Sequence, residues 1–168
     1  SVFSPYLVGQ NTYQISMSVF TAAASNNISD VINCSSMARY GEQSIVPFTE
    51  DLTPKPQDPY GIAKLASEQT LDILSKVHGF NYVNLVPHNI IGPRQKFDDP
   101  YRNVVSIMIN RVLNGKPPII YGDGSQERCF SDIDDVVDPI IRSINNKNVI
   151  GETINIGPDE DVISIKDL

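Results

Sequence analysis

The stretch PYGIAKLASEQTLDILSKVHGFNYVNLVP, residues 59–87, decides the fold class. From Tyr60 to His78, Ile62, Leu65, Ala66, Ile73, Leu74 and Val77 fall largely at three- and four-residue spacing, the period of one helix face. Gly79 stands where a C-cap glycine belongs. Tyr82-Val83-Asn84-Leu85-Val86 then reads as a strand stopped by Pro87. Upstream, Asp30 to Cys34 is a short buried-strand candidate running into Ser35-Ser36, and the polar, Pro-rich stretch from Gly41 to Pro59 reads as a surface loop. Downstream, a second helix is expected from about Arg102 to Leu113, ended by Asn114-Gly115. Pro118-Ile119-Ile120-Tyr121 is expected to be a strand that breaks at Gly122-Asp123-Gly124. Asp132 or Asp134 can N-cap a third helix carrying Val136, Val137, Ile140, Ile141 and Ile144, and Thr153 to Ile156 is a last strand ending at Gly157-Pro158. Strands alternating with helices predict an α/β fold with a largely parallel sheet.

A chain of 168 residues is long enough to bury a real core. Its 40% hydrophobic and 20% charged residues are those of a globular protein, which excludes collagen, low-complexity disorder and a coiled coil. Thirteen Lys plus Arg against twenty Asp plus Glu give a formal charge of −7, which speaks against a nucleic-acid partner bound on a broad basic face. With two Cys (Cys34, Cys129), no CxxC and two His, no metal site and no disulfide framework is expected. The acidic group Asp132, Asp134, Asp135 and Asp138 is better explained by helix capping and a solvated face than by calcium. No apolar run approaches the ~20 residues of a membrane span, and the start has no secretory pattern, so no membrane partner and a cytoplasmic location are expected. The first Met is Met17, which suggests a piece of a longer protein.

Tyr60 and Lys64 share one helix face. A phenol ordinarily ionises near pH 10, but a nearby ammonium and the positive end of a helix both favour the phenolate. Such a Tyr could take a proton from a sugar hydroxyl while the same carbon is oxidised. The same pair also arises by chance on many helices. Ser35 and Ser36 put two hydroxyls at the end of a strand, where parallel sheets bind ligands, although a Ser there can simply cap backbone groups.

Taken together, Ser-Ser-x-x-x-Tyr-Gly (35–41), Pro-Tyr-Gly-x-x-Lys (59–64), Asn-x-x-Gly-Pro-Arg-Gln (89–95), Tyr-Gly-Asp-Gly (121–124), Arg128 with Asp134-Asp135-Val136, and Asn155-Ile156-Gly157 resemble the extended short-chain dehydrogenase/reductase family. Within it, the motifs are similar to those of the NAD-dependent nucleotide-sugar epimerases and dehydratases, the UDP-glucose 4-epimerase type above all. The resemblance implies a partial Rossmann-type parallel sheet with part of a smaller substrate-binding domain. It places a partial NAD domain over residues 1–88. Residues 89–168 would then be a partial nucleotide-sugar lobe with elements that return to the NAD domain.

The resemblance also implies roles. Ser36 would hydrogen-bond the sugar oxygen at the reacting carbon, Tyr60 would be the acid/base, and Lys64 would hold the nicotinamide ribose and tune Tyr60. Pro87 and His88 occupy the position that lines the nicotinamide, His88 being a departure from the more usual residue. Asn89 matches a contact to the nucleotide diphosphate, Asn103 and Val104 a turn whose backbone holds substrate, Ile119 and Tyr121 the packing of the base. Arg128 matches the arginine on a diphosphate oxygen, as an Arg fork suits phosphate. Asn89 as a turn former, Tyr121 as a core aromatic and Arg128 as a surface charge are the plainer alternatives.

Dehydratases of the family carry an Asp-Glu pair directly after the catalytic hydroxyl residue. Here Met37 and Ala38 stand there, and neither moves a proton. An epimerase needs only Tyr60, Ser36 and NAD: C4 is oxidised to a ketone, the keto-sugar turns, and it is reduced on its other face. The expected reaction is therefore C4 epimerisation of a UDP-sugar. The alternatives are another nucleotide-sugar epimerase or dehydratase, or a non-catalytic fragment binding nucleotide sugar.

The glycine fingerprint for the dinucleotide is not in this sequence, since Gly122-x-Gly124 comes late and is followed by Glu127 rather than a third glycine. Val8 to Ile15 is expected to be the loop before the central helix, leaving only residues 16 to 34 before Ser35, too few for that helix. On this reading the chain alone binds NAD weakly or not at all. The parent is expected to be a homodimer through a four-helix contact, with Tyr60–His78 as one element and the other helix cut short.

Overall fold

The computed structural model describes residues 3–98, 103–158 and 162–168. In chain order its elements are α1 (Pro5–Ser25), β1 (Asp30–Cys34), α2 (Pro59–His78), β2 (Asn81–Pro87), β3 (Ile90–Ile91), α3 (Val104–Leu113), β4 (Glu127–Arg128), β5 (Ser131–Asp132), α4 (Ile133–Ser143), β6 (Thr153–Ile156) and β7 (Ile163–Ser164). One compact unit comprises the chain up to Pro87 plus Pro139–Ile156; the other comprises His88–Asp138 plus Gly157–Leu168.

In the first unit, β1, β2 and β6 form a parallel sheet with β2 in the middle. Val83, Asn84, Leu85 and Val86 of β2 are all buried, as a central parallel strand covered on both faces requires. Buried Asn84 fits there because its register partners are polar. Asn33 Nδ2 donates to Asn84 Oδ1 at 2.8 Å, and Asn84 Nδ2 donates to Thr153 Oγ1 at 3.4 Å. Helix α2 starts with Asp58, whose carboxylate accepts the Gly61 N–H at 2.7 Å, and with Pro59 at its first position. It stops at Gly79, left-handed at φ 75°.

The buried stripe of α2 is not the expected one. Ile62, Ile73 and Val77 are exposed, while Gly61, Ala63, Ser67, Glu68, Leu71 and Ser75 are buried. Small residues let the helix lie close to its neighbours. The two serines need no outside partner, because Ser67 Oγ donates to the Ala63 carbonyl and Ser75 Oγ to that of Asp72. Phe20, Leu71 and Phe80 form the core cluster, with Met17, Val31, Leu74 and Tyr82 against it.

Phe20 belongs to the element that departs most from expectation. Val8 to Ile15 is not a loop but part of the 21-residue helix α1. Its polar and β-branched composition conceals it, and only Phe20 and Ala23 are buried along it. Packing against α2 fixes it instead, including a 3.0 Å hydrogen bond between the Tyr13 hydroxyl and Thr70 Oγ1.

In the second unit, β3 pairs in parallel with β5, and β4 pairs antiparallel with β7. Helix α3 begins at Val104, capped by Asn103; Arg102, its expected start, lies outside the described residues. Asp132 rather than Asp134 caps α4, its Oδ1 accepting the Asp134 N–H at 2.9 Å. The run Pro118–Tyr121 is irregular instead of a strand. Neither Pro117 nor Pro118 has an N–H to give a ladder, and no described strand pairs with the residues after them.

Candidate active site

Ser36 follows β1 directly and caps the short 3-10 turn Met37–Arg39, its Oγ accepting the Ala38 N–H at 3.2 Å. That bond uses an acceptor site of the hydroxyl and leaves its O–H free to donate. Tyr60 and Lys64 lie in the first turns of α2, with the Lys64 ammonium 5.8 Å from the centre of the Tyr60 ring. Lys64 Nζ donates to the Cys34 carbonyl at 2.7 Å, which ties the helix to the carboxyl end of β1. Burial pulls the Lys64 ammonium below its ordinary range, and the Glu68 carboxylate opposes that shift.

Gly61 makes the two segments meet. A Cβ there would stand 2.4 Å from the Ala38 carbonyl oxygen, so the helix start rests directly on the turn that carries Ser36. Beneath that turn Ser35 joins a buried group with Arg39 and Glu68, two residues that the sequence did not single out. Ser35 Oγ donates to Glu68 Oε1, and Arg39 Nε sits 3.0 Å from Glu68 Oε2, an ion-pair distance with the N–H not aimed at the oxygen. Ser35, Arg39 and Glu68 are 4, 7 and 4% exposed, so all three are out of water. Burial pushes the Glu68 carboxyl up, while the Ser35 hydrogen bond and the Arg39 charge hold it down. Arg39 also lies 4.8 Å from the ring centre of fully buried Tyr40, whose hydroxyl donates to Asn155 Oδ1 at 2.9 Å.

In the second unit, a cavity of about 330 Å³ is lined by Asn89, Asn103, Val104, Ile119, Tyr121 and Arg128. Those are the six substrate-contact positions expected in this part of the chain. Gln126, Phe130 and Ile165 complete the lining and were not anticipated. The volume falls at the lower end for small-molecule sites, about 300–1,000 Å³. The wall is mixed: apolar Val104, Ile119, Phe130 and Ile165, the flat ring of Tyr121, and the amides and guanidinium of Asn89, Asn103, Gln126 and Arg128. Asn89 is fixed by its own bonds, its Nδ2 donating to the Cys129 carbonyl and meeting His88 Nε2, each at 3.0 Å. Asn103 Oδ1 accepts the Val105 N–H at 2.9 Å.

Pro87 ends β2 in the first unit, and His88 opens the second; neither lines the cavity. His88 Nε2 faces the Asn89 amide, which leaves Nδ1 as the other ring nitrogen. That nitrogen is buried without a partner. Burial, with the Arg128 charge second, holds the His88 imidazole below its ordinary range. Among the described residues no group of three or more His, Cys, Asp or Glu could hold a metal ion, and no helix is long and apolar enough to cross a membrane.

The family model for the NAD dependent epimerase/dehydratase family matches residues 1–157. The chain belongs to this family. It is 36% identical over 122 residues to a putative UDP-glucose 4-epimerase of Methanocaldococcus jannaschii, which covers 71% of this chain and 38% of that protein. Its fold is similar to the UDP-glucose 4-epimerase of Thermotoga maritima solved with UDP-glucose, at TM-score 0.89 and 30% identity over 99% of this chain and 53% of that one. The UDP-glucuronic acid 4-epimerase of Bacillus cereus, in complex with UDP-glucuronic acid and NAD, matches at TM-score 0.84 and 34% identity over 98% of this chain and 50% of that one. The chain spans a third to about half of the length of the curated relatives it matches.

Proposed function

We propose that the protein is an NAD-dependent epimerase that inverts C4 of a UDP-sugar, and that this chain supplies its acid–base residues and its nucleotide-sugar cavity. One observation carries the reading: Tyr60 and Lys64 stand in the first turns of a helix seated, through Gly61, on the turn of Ser36 at the carboxyl end of a parallel strand. The donor set fits a nicotinamide ribose, with a phenol and an ammonium where parallel sheets take ligands. Tyr60, Lys64, Pro87 and His88 would hold the cofactor. NAD, when bound, supplies reversible oxidation and reduction at the sugar carbon.

The chain's own residues do the rest. Tyr60 takes the proton of the sugar hydroxyl and returns it, while Ser36 donates its free O–H to the same oxygen and holds it in place. Lys64 favours the phenolate by its charge. Asn89, Asn103 and Val104 hold the substrate and its diphosphate, Arg128 pairs with a phosphate oxygen, and Ile119 and Tyr121 pack the base. Met37 and Ala38 give no group to expel water, which favours epimerisation over dehydration. Several similar proteins are UDP-sugar 4-epimerases by name, which supports the UDP-sugar.

A cytoplasmic homodimer belongs to the same reading, with the exposed apolar residues of α1 and α2, such as Ile15, Val19, Ile62 and Ile73, as the contact, and no nucleic-acid partner. The deciding experiment offers UDP-glucose and UDP-galactose to the whole protein with NAD. Interconversion that drops by about 100-fold or more in Tyr60→Phe supports the reading. Undiminished turnover in that variant refutes it.

A further inference from the structure

We propose that Glu68 is a positioning residue for Ser36, gripping the turn on both sides of it. Ser35 precedes Ser36 and donates to one Glu68 oxygen; Arg39, three residues after Ser36, faces the other. The grip comes from α2, two turns beyond Tyr60 and one beyond Lys64, so one helix holds the acid/base, the ammonium and the anchor of the hydroxyl turn. The proposal rests on the reading of Ser36, Tyr60 and Lys64 as the reacting set.

A buried carboxylate is a poor choice for stability alone. Packed apolar side chains commonly do as well as a buried ion pair, and the pair adds directionality that they lack. Here the direction is specific. Glu68 spends one oxygen on the residue before Ser36 and one on the residue that ends the 3-10 turn, and between them runs the Ala38 N–H bond that fixes Ser36 Oγ. With Ser36 Oγ held as an acceptor of that bond, the oxygen is kept in one place and its O–H stays available to a substrate. Without Glu68 the Ser35 N–H still donates to the Leu85 carbonyl and buried Tyr40 still donates to Asn155 Oδ1, but nothing joins Ser35 Oγ to Arg39 across the turn between them.

Two readouts test this. Native-state hydrogen exchange compares the Ala38 amide, bonded to Ser36 Oγ, with the Asn84 amide, bonded to the Glu152 carbonyl in the sheet. In Ser35→Ala, which strands no charge, the Ala38 amide is expected to exchange about tenfold faster with the Asn84 amide unchanged. In the whole protein with NAD and a UDP-sugar, the same variant is expected to lower kcat about tenfold at little-changed KM, since the lost aim matters in the transition state rather than in binding. Glu68→Gln should do both more strongly, and if it fails to fold, Ser35→Ala carries the test. Unchanged Ala38 exchange in the folded variants, or kcat unmoved in a protein that turns over, overturns the proposal. A wild-type protein without turnover refutes the functional reading instead, and the exchange result then decides for or against the grip by itself.

Discussion

Substituting Gly61 with Ala should destabilise the protein, although the position lies in a helix where Ala is the better residue. Propensity alone predicts a gain of about 1 kcal/mol for Gly→Ala in a helix. The new Cβ would stand 2.4 Å from the Ala38 carbonyl oxygen and 3.0 Å from its carbon, with Pro56 Cβ at 3.1 Å. That is about 1 Å inside ordinary contact, and the main obstacle is backbone, which cannot rotate away. Overpacking of this kind costs about 1–3 kcal/mol. We take the upper part of that range, because two backbone segments must separate, and expect a net loss of about 2 kcal/mol after the propensity gain.

For a chain of this size that lowers Tm by roughly 4–8 °C. Gly9 is the internal control. It too lies inside a helix, α1, but a Cβ there meets nothing within 4 Å, so Gly9→Ala should raise Tm by about 1–4 °C. Thermal unfolding followed by circular dichroism reads both. Turnover should fall further than stability in Gly61→Ala, since a displacement of about 1 Å between reacting groups can cost about 100-fold. A Gly61→Ala protein as stable as wild type would refute the reasoning, because the helix would then not be seated on the Ser36 turn.

Two further outcomes follow from buried polar groups. Tyr40→Phe removes the donor to Asn155 Oδ1 from a fully buried ring and should cost about 1–3 kcal/mol in chemical denaturation; a smaller loss means that Asn155 finds another partner easily. His88 sets a pH dependence. In the fold it binds its proton less readily than the ordinary value of 6.5, so the unfolded chain holds more protons between that value and the lowered one. Stability from this group is therefore present above pH 6.5 and lost as the pH falls through that window, and His88→Gln should flatten that part of the Tm–pH curve. Glu68, shifted upward, contributes with the opposite sign, losing stability as the pH rises through its raised value, so comparison with the His88 variant isolates the imidazole.

What the sequence revealed and concealed follows from which residues decide each element. Strands β2 and β6 were legible because runs bounded by Gly or Pro leave few other conformations, and β1 because its short run stops at Ser35-Ser36. The ends of α2 were legible because Pro59 and Gly79 act locally. Its buried face was not. Ala63, Ser67 and Ser75 are buried because they are small, whereas periodicity gives weight to Ile62, Ile73 and Val77, which are exposed. Glu68 was invisible for a related reason: a carboxylate in a helical pattern reads as its wet side, and only the Ser35 and Arg39 contacts, 33 and 29 residues back in the chain, reverse that reading. Helix α1 depends on its packing against α2, a long-range contact that a local pattern does not encode. The six cavity positions were legible only through the family motifs, since nothing local to Ile119 or Arg128 distinguishes them from surface residues.

The chain order of the site residues has a kinetic consequence. Ser36, Tyr60 and Lys64 all precede Pro87 in the first unit, while the cavity residues all belong to the second. Arg128, whose Nη1 donates to the Glu127 carbonyl, and Ser35, bonded to Glu68, belong to separate hydrogen-bond networks. If the second unit holds the nucleotide and the first aims the reacting groups, Arg128→Met should raise KM about tenfold or more with kcat little changed, the loss of a charge-assisted bond made equally in ground and transition states. Ser35→Ala should do the reverse. The double variant should then lose kcat/KM by the product of the two effects, within the few tenths of a kcal/mol usual for independent sites. A double variant no worse than the poorer single would mean that Arg128 also aims the sugar at Ser36. Nucleotide binding and chemistry would then have to be treated as one site rather than as two tasks divided between the units.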